Sequence, residues 1–522
     1  MIEVDKVNKE VQRIVIIGGG TAGWLAANHI GKAAQLLPNV TVTLIESPDI
    51  PTIGVGEGTV PAIKQSLQSF GIRETDFIRD CDVSFKQSIK FCNWLDKTKH
   101  GENNSYHHLF DVPSPLGADL TPQWLHQQAT HSNSSTSYSQ NVSPQHYICE
   151  ALKAPKLITT PEYGGKVSYA YHLNAAKFAK LLASNATSKL GVQHLQANVL
   201  DADIDDEGNL TQLKTDKLGE LAFDFFIDCS GFESILLTKK LQVPFVDKSK
   251  QLFVNKAIVA QVPITEEYAI PPYTIATAHQ AGWVWDIALP ERRGTGFVYS
   301  DNHMTSSEAE QKFDRYLGGK LASLASREIP MKVGYREKFW FKNCVALGLA
   351  QGFLEPIEAT SILLTDFAAG YLAKRLPQTM AQMPALSERF NNTMTYAWER
   401  VVEFAKLHYC ISDRTDSDFW IDNRHPESIP EPLKHKMALW QNYSPLTDDL
   451  FSRFEVFNID NYLYVLYGMK YQTKAANLSE SYHHIAQQQI AQIEKIGKGL
   501  AAELPEHRAL LNKIKQFGLK TI

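Results

Sequence analysis

The stretch from Ile14 to Gly23, IVIIGGGTAG, constrains the fold more than any other part of the chain. Ile14 to Ile17 are four consecutive β-branched residues, the mark of a short buried strand. Gly18, Gly20 and Gly23 then fall at the spacing of a dinucleotide-binding turn. Gly18 lets the chain reverse and Gly20 lets the backbone approach a pyrophosphate. Gly23 lets a helix starting near Thr21 pack closely on the strand, so that the amides of Thr21 and Ala22 face phosphate. Val40 to Ile45, VTVTLI, reads as a second strand ending in Glu46, an acid placed to accept hydrogen bonds from an adenosine ribose. Glycines in an ordinary turn would need no such continuation.

A length of 522 residues suggests about three domains, and 44% hydrophobic with 21% charged residues is ordinary globular composition. The net charge of -5 provides no general basic field, which argues against nucleic acid and anionic membranes as partners. No apolar run approaches the roughly 20 residues of a membrane helix. The first residues, MIEVDKVNKEVQR, lack the apolar core of a signal peptide, so the expected location is the cytoplasm. Six cysteines without a CxxC pair read as reduced structural thiols and predict no metal site.

Residues 50–61, IPTIGVGEGTVP, form a loop too rich in proline and glycine for regular structure. Such backbone suits contact with a flat ligand, here through Gly54, Val55, Gly56 and Glu57. From Val83 to Cys92 apolar and polar residues alternate, which predicts one half-buried strand with Lys86 and Lys90 on its polar face. Strand lysines ordinarily point into water. Residues 101–147, rich in His, Gln, Asn and Ser, read as a long mobile loop whose five histidines are solvated. Ala175 to Leu190 is helical in pattern, and Phe223 to Gly231 is a buried strand entering a glycine turn. Residues 252–300 are strand-rich, Asn343 to Leu349 is an apolar strand reaching Gly348, and residues 352–361 lead into an apolar helix. Beyond Pro377 the pattern is mainly helical, with an amphipathic helix from about Ser479 to Ile493 and another near the C-terminus.

Eight stretches, in order and spacing, resemble the flavin-dependent tryptophan halogenase family: GGGTAGW at 18–24, PTIGVGEGTVP at 51–61, FKQSIKFCNW at 85–94, YHHLF at 106–110, IDCSG at 227–231, GWVWDI at 282–287, FLEPIEAT at 353–360 and FWIDNRH at 419–425. The resemblance implies an α/β fold: a Rossmann-like FAD-binding core of the two-dinucleotide-binding-domain type, a substrate-binding subdomain and a mainly helical C-terminal region. Residues 1–100, 160–240 and 325–376 are expected in the FAD-binding domain. Residues 101–159 and 241–324 are then inserted substrate and strand-rich segments, and 377–522 the helical region covering the substrate.

The implied chemistry uses FAD reduced by a separate NAD(P)H-dependent flavin reductase. Oxygen gives a flavin hydroperoxide, which oxidises chloride or bromide to hypohalous acid, and this crosses a tunnel to an electron-rich aromatic. The family's tunnel lysine falls on Lys86 and its carboxylate partner on Glu358. The need for both is chemical. A cation can hydrogen-bond or capture hypohalite, and a carboxylate can orient it or take the proton leaving the ring. Thr360 and Ser361 stand where helix-terminal amides favour a halide, although an N-cap role is equally compatible with them. Trp283 and Trp285 match the pair that keeps substrate away from flavin, a role that competes with plain core packing.

Three departures matter for the implied activity. Glu358-Ala359-Thr360-Ser361 replaces the family's Glu-Ser-Thr-Gly, and Ile287 is followed by Ala288 instead of proline. His108 and Phe110 match one wall of the family's indole site, and Phe457 takes the place of the stacking tryptophan with no matched carboxylate for an amino group. The change in the substrate pocket favours indole or another electron-rich aromatic at least as much as free tryptophan, while Ala359 and Ser361 bear on the halide site and Ala288 on local backbone shape. An FAD-dependent aromatic monooxygenase and a catalytically lapsed flavin-binding protein are the alternatives; a homodimer is compatible with all three.

Overall fold

A computed structural model describes residues 9–50, 56–130, 136–452, 454–475 and 477–521. Its central sheet runs Trp340–Phe341, Cys344–Ala346, Phe225–Asp228, Arg13–Ile17, Thr41–Glu46, Gln193–Gln196. Every neighbouring pair is parallel except the Trp340–Phe341 edge. Strands covered on both faces carry continuous apolar runs, which is why Ile14 to Ile17 show no alternation and are all buried. The helix Thr21–Ala34 packs over this sheet between the helices Ala175–Lys189 and Thr360–Ala373.

A second, seven-stranded sheet is ordered Ser326–Pro330, Lys256–Pro263, Arg292–Tyr299, Gly282–Ala288, Tyr273–His279, Ser88–Cys92, Ser105–Leu109. All its pairs are antiparallel save Tyr273–His279 with Ser88–Cys92. A third sheet joins Gly56–Gly58, Ala170–Asn174 and Ser84–Lys86.

The single strand expected from Val83 to Cys92 is therefore two. Ser84–Lys86 lies in the small sheet and Ser88–Cys92 in the large one, with Gln87 at the crossing. There the Gln87 N–H donates to Pro272 O at 2.7 Å and the Gln87 carbonyl accepts from Phe110 N at 3.1 Å. Nor is the polar face wet. Ser84, Lys86 and Ser88 are fully buried because other elements supply partners, such as Ala288 O for Ser84 Oγ at 2.6 Å and His107 Nδ1 for Ser88 Oγ at 2.9 Å. Alternation marks two faces; it does not say that one meets water.

The mobile loop expected over 101–147 is also corrected. It contains the strand Ser105–Leu109 and the helices Thr121–Thr130 and Tyr138–Val142, and it leads into Gln145–Glu150. His107 and His108 are buried and bonded instead of solvated, since their nitrogens find Ser88, Glu150, Glu358 and Asn461. Gly56–Gly58, expected as irregular, pairs as a short strand with Ala170–Asn174. Gly54 and Val55 lie outside the described residues.

The C-terminal part is helical. Met383–Cys410 buries every residue from Val401 to Cys410, so its last turns run through the interior. Ile459–Gly468 follows, and the amphipathic helix expected to end near Ile493 continues as Glu480–Glu503 before His507–Phe517. Among the described residues no helix is long and apolar enough to cross a membrane.

Candidate active site

A cavity of about 370 Å³ runs from the carboxyl ends of the central strands to the small sheet. Glu46, Ser47 and Asn198 line one end, the Gly18–Ala22 turn the middle, and Glu57, Lys86, Trp285 and Ser361 the other. The glycines of the turn divide the work. Gly18 has φ +109°, and a Cβ there would lie 2.3 Å from Cys229 O. A Cβ on Gly23 would lie 1.8 Å from Gly18 O, so these two permit packing. At Gly20 a Cβ meets nothing within 4 Å, so the backbone there borders open space. Gly20 also caps the helix Thr21–Ala34 without a side chain, and no acidic residue occupies its first turn, as suits a bound anion. An extended dinucleotide with a flat ring system fits this cradle.

Glu46 ends its strand at this cavity and is bonded to His194 Nε2 at 2.9 Å. Gly19 earns a place that motif spacing does not give it: a Cβ would strike the Glu46 carboxylate at 2.1 Å. Gly348, with φ +64°, brings its turn within 2.5 Å, measured from its would-be Cβ, of Ala22 Cβ. Glu57 is pushed up to about 7 by burial.

Lys86 closes the far end, fully buried, donating to Thr59 O at 3.1 Å with its Nζ 5.3 Å from the Phe110 ring centroid. Gly58 makes room, since a Cβ there would stand 3.3 Å from Nζ. Burial pushes the ammonium down to about 8, partly offset by the attraction of Glu358.

Glu358 makes no direct bond to Lys86. Its Oε1 sits 2.9 Å from His108 Nδ1 and 2.9 Å from His408 Nε2. Burial works against the carboxylate, but the two imidazoles outweigh it and hold the group at about 2. Ala359, next in the chain, takes φ 55°, a left-handed conformation strained for a residue with a Cβ, and it is the N-cap of the helix Thr360–Ala373. Neither Thr360 nor Ser361 is therefore the cap. They are the first two helical residues, with Thr360 buried and Ser361 at the cavity wall. Behind them lies a space of about 10 Å³ that Gln351 and Trp398 also line.

Trp285 lines the cavity and Trp283 stands behind it, centroids 6.3 Å apart, with Trp283 Nε1 donating to Tyr409 OH at 3.0 Å. The expected aromatic wall is arranged differently from an open slot. Phe457 is buried and stacks on Phe404 with centroids 3.9 Å apart, and Phe404 lies 6.0 Å from His108. A ring of the helix Met383–Cys410 thus occupies one face of Phe457.

Sequence reasoning passed over Gly19, His194, Phe404, His408 and Asn461. None stands in a short motif beside its partner; His408 is 50 residues from Glu358 and Asn461 is 353 from His108. Only Gly19 carried a signal, as the middle of three glycines.

A glycine-cradled cavity at the carboxyl ends of a parallel sheet defines the class of dinucleotide-binding proteins. A sequence model of the tryptophan halogenase family matches residues 13–485, and the chain belongs to that family of flavin-dependent halogenases. Tryptophan 6-halogenase SttH of Streptomyces toxytricini is 33% identical over 473 residues, 87% of this chain and 89% of that one. Tryptophan 7-halogenase RebH of Lentzea aerocolonigenes is 33% identical over 484 residues, 88% and 90% of the two chains. A crystal structure of tryptophan halogenase from Shewanella frigidimarina NCIMB 400 superposes with a TM-score of 0.93 at 37% identity, covering 99% of this chain and 100% of that one.

Proposed function

We propose that the chain is the halogenating component of a two-component system. It takes reduced FAD from a separate NAD(P)H-dependent reductase in the cytoplasm and places chloride or bromide on an indole-like or other electron-rich aromatic. The observation that carries this reading is Lys86, a fully buried cation at the cofactor cavity's end with Glu358 beyond it.

Gly18 to Ala22, Glu46, Glu57 and Gly348 would hold the FAD, which when bound supplies the oxygen activation that turns halide into hypohalous acid. The first amides of the helix Thr360–Ala373 attract the halide through the positive end of the helix dipole. Among the described residues Lys86 has only Thr59 O as a hydrogen-bond acceptor, so its remaining N–H groups are available to hold hypohalite by a charge-assisted bond. Trp285 and Trp283 fill the space between cavity and interior and so keep an aromatic off the flavin. Glu358, kept ionised by its imidazoles, receives the proton that the ring loses.

Mass spectrometry tests this with the purified chain, a generic flavin reductase, NADH, FAD and oxygen. Tryptophan, indole and phenols are each supplied with chloride or bromide. A halogen isotope pattern that disappears in Lys86→Ala supports the reading. A hydroxylated product would replace it with aromatic monooxygenation, and absence of any product despite bound flavin would count for a lapsed enzyme.

A further inference from the structure

His408 enters the account above only as one of the two imidazoles that keep Glu358 ionised, yet both of its ring nitrogens are committed to fixed partners. It is fully buried on the helix Met383–Cys410, with Nε2 2.9 Å from Glu358 Oε1 and Nδ1 2.8 Å from Phe404 O, one turn earlier. A main-chain carbonyl only accepts, so Nδ1 carries a hydrogen. A neutral ring would then turn a bare Nε2 lone pair onto a carboxylate oxygen. A proton must therefore lie on the Nε2 to Oε1 axis.

His108 repeats the arrangement from the strand Ser105–Leu109. Its Nδ1 is 2.9 Å from the same Oε1 and its Nε2 2.9 Å from Asn461 Oδ1. The amide orientation follows from Asn461 Nδ2, which donates to Asn458 O at 3.3 Å. Both rings converge on one oxygen, and among the described residues Glu358 Oε2 has no hydrogen-bond partner. Other titratable groups facing the cluster are Lys86, Tyr464, whose ring lies 6.1 Å from that of His108 and whose hydroxyl donates to Asp111 O, and Tyr106, whose buried hydroxyl has no partner among the described residues. Phe91, Trp94 and Phe404 pack on the His408 ring and contribute no charge.

We propose that His408 is a positioning residue for halogenation: with His108 it fixes Glu358 through Oε1 and so commits Oε2 to the proton leaving the aromatic ring. This rests on the role given to Glu358 above. The carbon–halogen bond forms as the halogen–oxygen bond of hypohalous acid breaks, releasing hydroxide. The ring C–H bond then breaks, its electron pair restores aromaticity, and its proton passes to Oε2, from which hydroxide takes it as water. With Oε1 held by two donors the carboxylate can neither rotate nor be protonated on the wrong oxygen.

The test compares wild type, His408→Leu and His408→Gln in kcat, KM, flavin affinity and the pH dependence of halogenation. Gln places an N–H near the former Nε2 but cannot ionise. Wild type is expected to be flat on the acid side between about pH 7 and 6, because its carboxylate is already ionised far below that range. In His408→Leu burial dominates and raises the Glu358 pKa. Its kcat should be about tenfold lower at pH 8 and fall further on acidification, with KM and flavin affinity unchanged. His408→Gln should recover most of the kcat and the flat acid side. Equal losses in both variants with wild-type pH profiles would mean a merely structural residue, and full activity in His408→Leu would also overturn the proposal. Nitrogen NMR of histidine-labelled wild type decides independently of how the variants fold: the His408 Nε2 that faces Glu358 Oε1 should carry a hydrogen, and a bare Nε2 sinks the idea. If wild type halogenates no aromatic, the functional reading fails instead, and the NMR result still stands on its own.

Discussion

At the cofactor end a cavity of about 370 Å³ stays open along the glycine turn, whereas at the aromatic end Phe404 lies 3.9 Å from Phe457 and both nitrogens of His108 are engaged. Lys86 and Glu358 stand on either side of this change, and burial acts on them in opposite senses. Among the described residues Lys86 has one carbonyl partner, and burial takes it down to about 8. Burial would raise Glu358, but two imidazoles overcome it and hold the acid near 2. A buried charge survives where the fold supplies partners and weakens where it withholds them. The open end is suited to receiving a large cofactor, and the packed end to holding one acid in one orientation.

Lys86→Ala tests whether the boundary between the ends is chemical. Halogenation should fall by roughly two to four orders of magnitude with flavin binding intact, and normal turnover would break the comparison. Phe404→Ala tests the packed end. Removing a fully buried ring should cost about 3–5 kcal/mol in denaturant unfolding and admit bulkier aromatics; an unchanged midpoint would mean that the stack is not core packing. In Glu358→Gln the product rate should drop about a hundredfold while trapped hypohalite still accumulates. Loss of hypohalite would move Glu358 to the cofactor end.

The open end makes a subtler claim. Gly20→Ala should leave thermal stability unchanged, because the new methyl meets no protein atom, yet weaken flavin binding by about 1–3 kcal/mol in titration. Gly23→Ala is the contrast, since its methyl would strike Gly18 O and stability itself should fall. The smallest effect is in pH. If the Lys86 ammonium is the working form, halogenation should decline about tenfold for each unit above pH 8. The stability linkage has the opposite sense: the folded chain releases this proton near pH 8 and the unfolded one near 10.5, so the lysine's destabilising contribution is relieved as pH rises through that window. A flat alkaline limb would mean that the neutral amine suffices.

The glycine turn was legible because its constraint is local. The positive φ of Gly18 and the clash of a Gly23 Cβ with Gly18 O belong to one strand–turn–helix unit, and sequence spacing reports them, whereas the carbonyl that crowds Gly18 is that of Cys229, from a distant segment. The alternation at 83–92 was legible as alternation but not as two strands, since what ends the first is Pro272 O, from a distant segment. The polar run of 101–147 misled for a related reason. Composition measures how many polar groups a segment carries, not whether partners elsewhere bond them.

By itself the sequence determined the dinucleotide turn, the order of the motifs and the positions of Lys86 and Glu358, because short-range sterics and the spacing of a chemical motif are written along the chain. Only the tertiary structure decided that both charges are buried and that two histidines share one carboxylate oxygen. It alone also decided that Phe404 closes over Phe457. These depend on residues between 50 and 353 positions apart meeting in a dry interior, where partners and not residue type settle which groups stay charged.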